Sequence, residues 1–141
     1  MKKTFVDSGL LIAVTQGEEE VYEEALAVID DPERELVSSV YVKLETLPMA
    51  IWREHEDQVE AYEEIFDNVS RWVPSSPGLS QRALELAGEY GLKAVDALHV
   101  AAAEAEEAEL ITTEKPTMPM FRATSITVTS IRAYPRDAPS P

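Results

Sequence analysis

The chain has 141 residues, 45% of them hydrophobic, and 27 acidic against 12 basic residues give a formal net charge of −15. That is the size of one domain with a sizeable core; no apolar run approaches the roughly 20 residues of a membrane span, and the absence of cysteine excludes disulfides and thiolate metal sites. The negative charge argues against an anionic membrane surface and against a broad nucleic-acid footprint, which is usually basic.

Strand-like and helix-like segments alternate along the chain. Thr4-Phe5-Val6 predicts a short strand, and a helix from Ser8 carries Leu10, Leu11, Ile12 and Val14 to a stop near Gly17. Glu18 to Ile29 reads as a helix with acids in its first turn, where they suit the helix dipole. Leu36-Val37 is a strand, after which Ser38 or Ser39 caps a helix running to about Glu54. Pro48 is expected to kink or divide that helix. Asp57 to Val69 has Val59, Tyr62, Ile65, Phe66 and Val69 at helical spacing. Trp72-Val73 predicts a strand, and the Pro74 to Gly78 cluster a loop. Leu79 to Tyr90 is a helix ended by Gly91, and Ala94 to Ala108 an alanine-rich one able to pack closely on a sheet. Leu110 to Thr112 and Ile126 to Val128 are strands, and the proline-rich tail 134–141 is expected to be disordered. Strands separated by helices imply an α/β fold, a mostly parallel central sheet with helices on both faces, as one domain over 1–133. The N-terminus reaches Asp7 too soon for a secretory leader, so a cytoplasmic location is the expectation.

Four acids stand at the end of apolar runs or inside them. Asp7 follows Thr4-Phe5-Val6, Glu45 follows Val40 to Leu44, Asp96 interrupts Ala94 to Leu98, and Glu114 follows Leu110 to Thr113. An isolated buried carboxylate is costly unless paired, hydrogen-bonded or metal-bound. Ligands of open parallel sheets bind beyond the carboxyl ends of the strands. Asp7 and Glu114 follow strands, and Glu45 and Asp96 lie near helix starts, so one crevice is able to receive all four. With no Cys and no His cluster the donors are hard oxygens, which suit Mg2+ or Mn2+ better than Zn2+. Carboxylate-held Mg2+ serves phosphodiester chemistry by activating water and stabilising charge on phosphate. Taken singly, each acid has a plainer role: Asp7 and Asp96 as helix caps, Glu45 as a solvent-facing residue, Glu114 as a loop acid.

The same segments carry a resemblance. Thr4-Phe5-Val6-Asp7-Ser8 resembles the opening of PIN domains, a strand delivering an Asp followed by Ser or Thr. Ser39-Val40 through Glu45 resembles the second motif of that family, and Val95-Asp96-Ala97-Leu98 through Ala103 is similar to its Asp-Ala-Leu/Ile segment. Leu110 to Glu114 resembles its Thr-x-Asp element, with Glu114 where the family usually has Asp; the segment 115–121 lacks the further Asp that often follows. The four motifs, in order, cover the chain to about residue 130. The resemblance implies a three-layer α/β/α fold and a Mg2+- or Mn2+-dependent ribonuclease acting on RNA, often the VapC-type toxin of a toxin–antitoxin pair. It implies that Asp7, Glu45, Asp96 and Glu114 are catalytic and hold the metal, and that a basic antitoxin is a partner.

Other residues have two readings each. Ser8, Thr112 and Thr113 are candidates to orient the acids, against capping and strand propensity. His99 reads as a packed helix residue with one satisfied nitrogen rather than as a general base. Lys93, Lys115 and Arg53 are candidates for phosphate contact, against plain solvation. Trp52, Trp72 and Tyr62 read as core or interface rather than base-stacking residues, with Trp52 and Tyr62 on the face of an expected homodimer. The rival function is a catalytically weak PIN-like module that binds protein, favoured by the charge and by the Glu at position 114. A receiver-like phosphate-handling domain ranks below both, because the first strand supplies only Asp7.

Overall fold

The computed structural model describes residues 1–17 and 20–132. Among the described residues five parallel strands form one sheet: β1 (Lys2–Val6), β2 (Arg34–Ser39), β3 (Arg71–Val73), β4 (Glu109–Thr112) and β5 (Val128–Ser130). The helices described between them are α1 (Ser8–Thr15) and α2 (Tyr22–Ile29) from β1 to β2, α3 (Val40–Trp52) and α4 (Glu56–Asp67) from β2 to β3, and α5 (Pro77–Tyr90) and α6 (Ala94–Ala105) from β3 to β4. A 3-10 turn, Pro119–Arg122, precedes β5. The strand order is β3-β2-β1-β4-β5. The chain therefore starts mid-sheet, builds outward through β2 and β3, then crosses to the other side of β1. Right-handed crossovers run in opposite directions place α1–α4 on one face and α5–α6 on the other. This is the expected three-layer α/β/α architecture.

The core follows from the composition of these elements. Phe5, Val6, Val37, Leu110 and Ile111 on the central strands are buried, with Leu10, Leu11, Val42 and Tyr62 on one side and Leu86 and Val100 on the other. Each such side chain contributes about 1.5–3 kcal/mol when fully buried. The buried Ala97, Ala101, Ala102 and Ala103 let α6 lie close on β1, β2 and β4. At the amino ends of the strands Arg34 ties β2 to β1 and β4, donating to Thr4 Oγ1 at 2.9 Å and to Glu109 at 3.1 Å.

Several boundaries differ from the sequence expectation. Helix α3 is not divided: it runs through Pro48. The carbonyl that loses its partner there belongs to Leu44, whose residue is 62% exposed, so water can satisfy it. Helix α5 begins two residues early, with Ser76 Oγ accepting from Leu79 N–H at 3.1 Å and Pro77 in the first turn, where a missing N–H costs nothing. Helix α2 starts at Tyr22; Glu18 and Glu19, placed in it from sequence, lie outside the described residues. The last strand is Val128–Ser130 rather than Ile126–Val128, because Val128, Thr129 and Ser130 pair with Leu110, Ile111 and Thr112. Gly91 ends α5 with φ +69, the left-handed conformation that glycine adopts without strain. The expected disordered tail, 134–141, lies outside the described residues.

Tyr62 is 1% exposed, a core residue stacked on Phe66, and is removed from the expected homodimer face. Trp52 is 80% exposed. It ends an apolar face of α3 formed by Val40, Leu44, Leu47, Pro48 and Ile51, which lines a shallow groove of about 440 Å³. Trp72 is partly buried, with Lys43 Nζ 4.1 Å from its ring centre. Among the described residues no helix is long and apolar enough to cross a membrane.

Candidate active site

The strand order reverses direction across β1 and β4, and the crevice beyond their carboxyl ends is the place where this topology leaves room for a ligand. Asp7 immediately follows β1 and is 5% exposed. It caps α1: its Oδ1 accepts from Leu10 N–H at 3.0 Å, so the capping role considered from sequence is real. Its pKa is nevertheless raised, because burial outweighs the Leu10 bond, the nearby His99 and a hydrogen bond with Thr112; the charge of Asp96 adds to the rise. Gly9, two residues on, has no room for a side chain, since a Cβ there would stand 2.6 Å from Thr113 Oγ1. That close approach brings the β4 exit loop against the start of α1.

Glu114 lies two residues beyond β4. Its backbone N–H donates to Thr112 Oγ1 at 3.1 Å, and its carbonyl accepts from Ser130 Oγ. Thr112 thus touches both Asp7 and the Glu114 backbone. The Glu114 carboxyl is raised in pKa, first by burial and then by the charges of Asp96 and Asp7. Its Oε2 is buried with no hydrogen-bond partner among the described residues.

Asp96 sits in the first turn of α6. Lys93, not Asp96, occupies the N-cap position of the helix, with no side-chain capping bond, so the capping role considered for Asp96 is corrected. Asp96 is half-buried, and burial raises its pKa; Glu45 adds to the rise, while His99 and Lys93 oppose it. Glu45 arrives from the other helical layer, on α3. Its Oε1 accepts two hydrogen bonds, from Ser8 Oγ at 2.8 Å and from His99 Nε2 at 2.7 Å. Its pKa is lowered, with the His99 bond the largest cause. His99 is 2% exposed and packs 5.8 Å from the Phe5 ring centre. A carboxylate oxygen has no hydrogen to give, so Nε2 carries the donor.

The structure thus brings all four sequence candidates to one edge. Asp7, Asp96 and Glu114 act on one another's charge, and Glu45 joins them through Asp96. They do not form a tight shell: among the described residues no three His, Asp or Glu side chains stand at the spacing of ligands to one ion. The chemistry of the set still fits a hard divalent cation. The donors are all carboxylate oxygens, three of them carry repulsion that a cation would relieve, and Glu114 Oε2 is a buried acceptor without a donor.

Of the auxiliary residues, Ser8 and Thr112 contact the acids, and Lys93 adds positive charge beside Asp96 and Glu114. Arg53 does not join them: it caps the far end of α3, eight residues or about 12 Å along the axis from Glu45. Lys115 is exposed and enters no interaction at the site among the described residues. The contact that sequence reasoning missed is His99 with Glu45. The two lie 54 residues apart on different layers, and nothing in either local pattern pairs them.

Known structures share this fold. VapBC2 from Rickettsia felis bound to a promoter DNA fragment is similar with a TM-score of 0.72 and 14% identity, over 91% of this chain and 98% of that one. A toxin–antitoxin complex from Klebsiella pneumoniae is similar with a TM-score of 0.71 and 21% identity, over 88% and 95%. Mycobacterium tuberculosis VapC20, described as a sarcin–ricin loop cleaving toxin, is similar with a TM-score of 0.62 and 20% identity, over 76% and 86%. No curated protein matches the chain in sequence. The family model for the PIN domain matches residues 4–115, a span that contains Asp7, Glu45, Asp96 and Glu114. The chain belongs to the PIN domain family.

Proposed function

We propose that this PIN-domain protein is a metal-dependent ribonuclease that hydrolyses RNA phosphodiester bonds, and that it is the toxin of a toxin–antitoxin pair. One observation carries the reading. Asp7, Asp96 and Glu114, delivered by three different elements to the crevice at the strand-order reversal, all have pKa values raised first by burial, with the charge of Asp96 adding to the rise at Asp7 and Glu114 and that of Glu45 adding to it at Asp96. Such acids weaken the fold when ionised, and clustered groups of this kind mark functional sites. Asp7, Glu45, Asp96 and Glu114 would hold Mg2+ or Mn2+, the ions suited to an all-oxygen set. Such an ion, when bound, supplies a Lewis acid and a nucleophilic water at neutral pH. Ser8 and Thr112 hold Glu45 and Asp7 in place, and Lys93, whose charge bears on Asp96 and Glu114, would meet a phosphate oxygen.

The test is cleavage of structured RNA by the purified protein with Mg2+ or Mn2+, and its loss with EDTA. Asp96→Asn keeps the shape of the side chain and removes the charge, so activity is expected to vanish while circular dichroism stays unchanged. Undiminished cleavage by this variant refutes the role of Asp96.

The partner reading has two supports. Similar folds occur in toxin–antitoxin complexes, and a net charge of −15 speeds encounter with a basic protein segment. A basic antitoxin is therefore the proposed inhibitor, bound near the acidic crevice. The exposed α3 face ending at Trp52 is the proposed homodimer surface. Trp52→Glu is expected to convert a dimer to a monomer in size-exclusion chromatography; a wild type that runs as a monomer removes the homodimer. A second reading, a catalytically weak module that binds protein, is favoured by the loose spacing of the acids. It predicts a complex with a basic partner but no RNA cleavage with any divalent ion.

A further inference from the structure

Among the described residues His99 is the one side chain at the site that bears on the carboxyls of Asp7, Glu45, Asp96 and Glu114 alike, yet it is 2% exposed and has no path to a substrate. Its Nε2 reaches Glu45, while its Nδ1 is buried and finds no partner among the described residues. A histidine kept only for packing would be cheaper as leucine, since a buried unpartnered polar atom carries a desolvation cost. Both bonds to Glu45, from His99 and from Ser8, land on the same oxygen, Oε1. Among the described residues nothing donates to Oε2. A glutamate side chain has three rotatable bonds, and Glu45 is 36% exposed, so without these donors it is free to swing into water. Two donors on one oxygen divide the work of the carboxylate: one oxygen is anchored, the other left to a ligand.

We propose that His99 is the positioning residue of the site, fixing Glu45 through Oε1 so that Oε2 is presented to a divalent cation. The pair also bridges the two helical layers, α3 to α6, and Asp96 lies one turn before His99. The position of Glu45 is thereby locked to that of Asp96. The inference rests on the metal reading above and deepens it. Partners that orient metal ligands in this way are commonly worth roughly 10- to 100-fold in metal affinity.

The test uses Mn2+ binding by isothermal titration calorimetry on the full chain, with thermal unfolding in EDTA alongside. His99→Leu keeps an apolar body of similar reach and loses the donor; His99→Gln carries an N–H near the position of Nε2. Positioning predicts that His99→Leu weakens Mn2+ roughly 10- to 100-fold, that His99→Gln restores most of the affinity, and that this order holds whichever variant melts higher. A merely structural histidine makes affinity follow melting temperature instead. Ser8→Ala removes the other donor from the same oxygen with little packing lost, and should weaken Mn2+ severalfold even if His99→Leu does not fold. Wild-type affinity in His99→Leu or in Ser8→Ala, or equal loss in His99→Leu and His99→Gln, overturns the positioning role while leaving the metal reading standing. A wild type that takes up no Mn2+ overturns the metal reading itself and the proposal with it.

Discussion

Replacing Asp7 by Asn removes a buried charge but keeps the oxygen that caps α1. Asp7 Oδ1 accepts from Leu10 N–H at 3.0 Å, and an Asn oxygen can do the same. The ionised carboxylate is disfavoured by burial, which lifts its pKa above the ordinary value. In the interval between the ordinary and the raised value the folded protein holds more protons than the unfolded chain, so stability falls as pH rises through that interval. Above it the fold carries the full penalty, and every tenfold gain in proton affinity caused by burial corresponds to about 1.4 kcal/mol. Asp7→Asn is therefore expected to melt higher than wild type at pH 8. The gain should shrink as pH falls toward the ordinary carboxylate range, where wild-type Asp7 takes up its proton. Asp7→Ala removes the charge and the cap together. It should lie below Asp7→Asn at every pH by about 1 kcal/mol, the worth of an N-cap, or about 3–4 °C in Tm for a domain of this size. Calorimetry or circular-dichroism melts of the three proteins in EDTA between pH 5 and 8.5 measure both differences. If Asp7→Asn melts below wild type at pH 8 and coincides with Asp7→Ala, the burial argument is wrong and the carboxylate is a net stabiliser.

Three further outcomes are expected. Mn2+ at a hundredfold excess over its Kd should stabilise the wild type by about 2.7 kcal/mol, seen as a rise in Tm that is absent in Asp7→Asn; equal shifts in both would place the ion elsewhere. Mn2+ affinity should fall with decreasing pH, beginning above the ordinary carboxylate range, because protons compete for Asp7, Asp96 and Glu114, whose pKa values are all raised; calorimetric titrations at successive pH values that show no change would refute this. Gly9→Ala places a methyl 2.6 Å from Thr113 Oγ1, so a loss of about 1–3 kcal/mol from overpacking is expected in urea melts, and an unaffected midpoint would mean that Thr113 rotates away at no cost.

The sequence by itself determined the layers and the acids. Short continuous apolar runs and helical apolar patterns alternate from Thr4 to Thr112, and that alternation dictates a parallel sheet covered on both faces. The carboxylates are legible because Asp7, Glu45, Asp96 and Glu114 interrupt apolar runs, where a charge has no local reason to stand. Local signals also marked Gly91 as a helix end, since only a left-handed residue closes α5 there. What only the tertiary structure decided are relations between distant elements. Strand order puts β1 beside β4, and so Asp7 beside Glu114 across 107 residues of chain. Pro48 stays inside α3 because Leu44 faces water, a matter of exposure rather than of proline itself. Tyr62 and Trp52 look alike as aromatic residues on helices, yet one is core and the other surface, according to which side of its helix faces the core. The His99–Glu45 bond belongs to the same class. Local propensity acts over a few residues along the chain, whereas a hydrogen bond between layers depends on how two helices pack. That packing is fixed by the core as a whole, through the small alanine face of α6 and the side chains buried beneath α3.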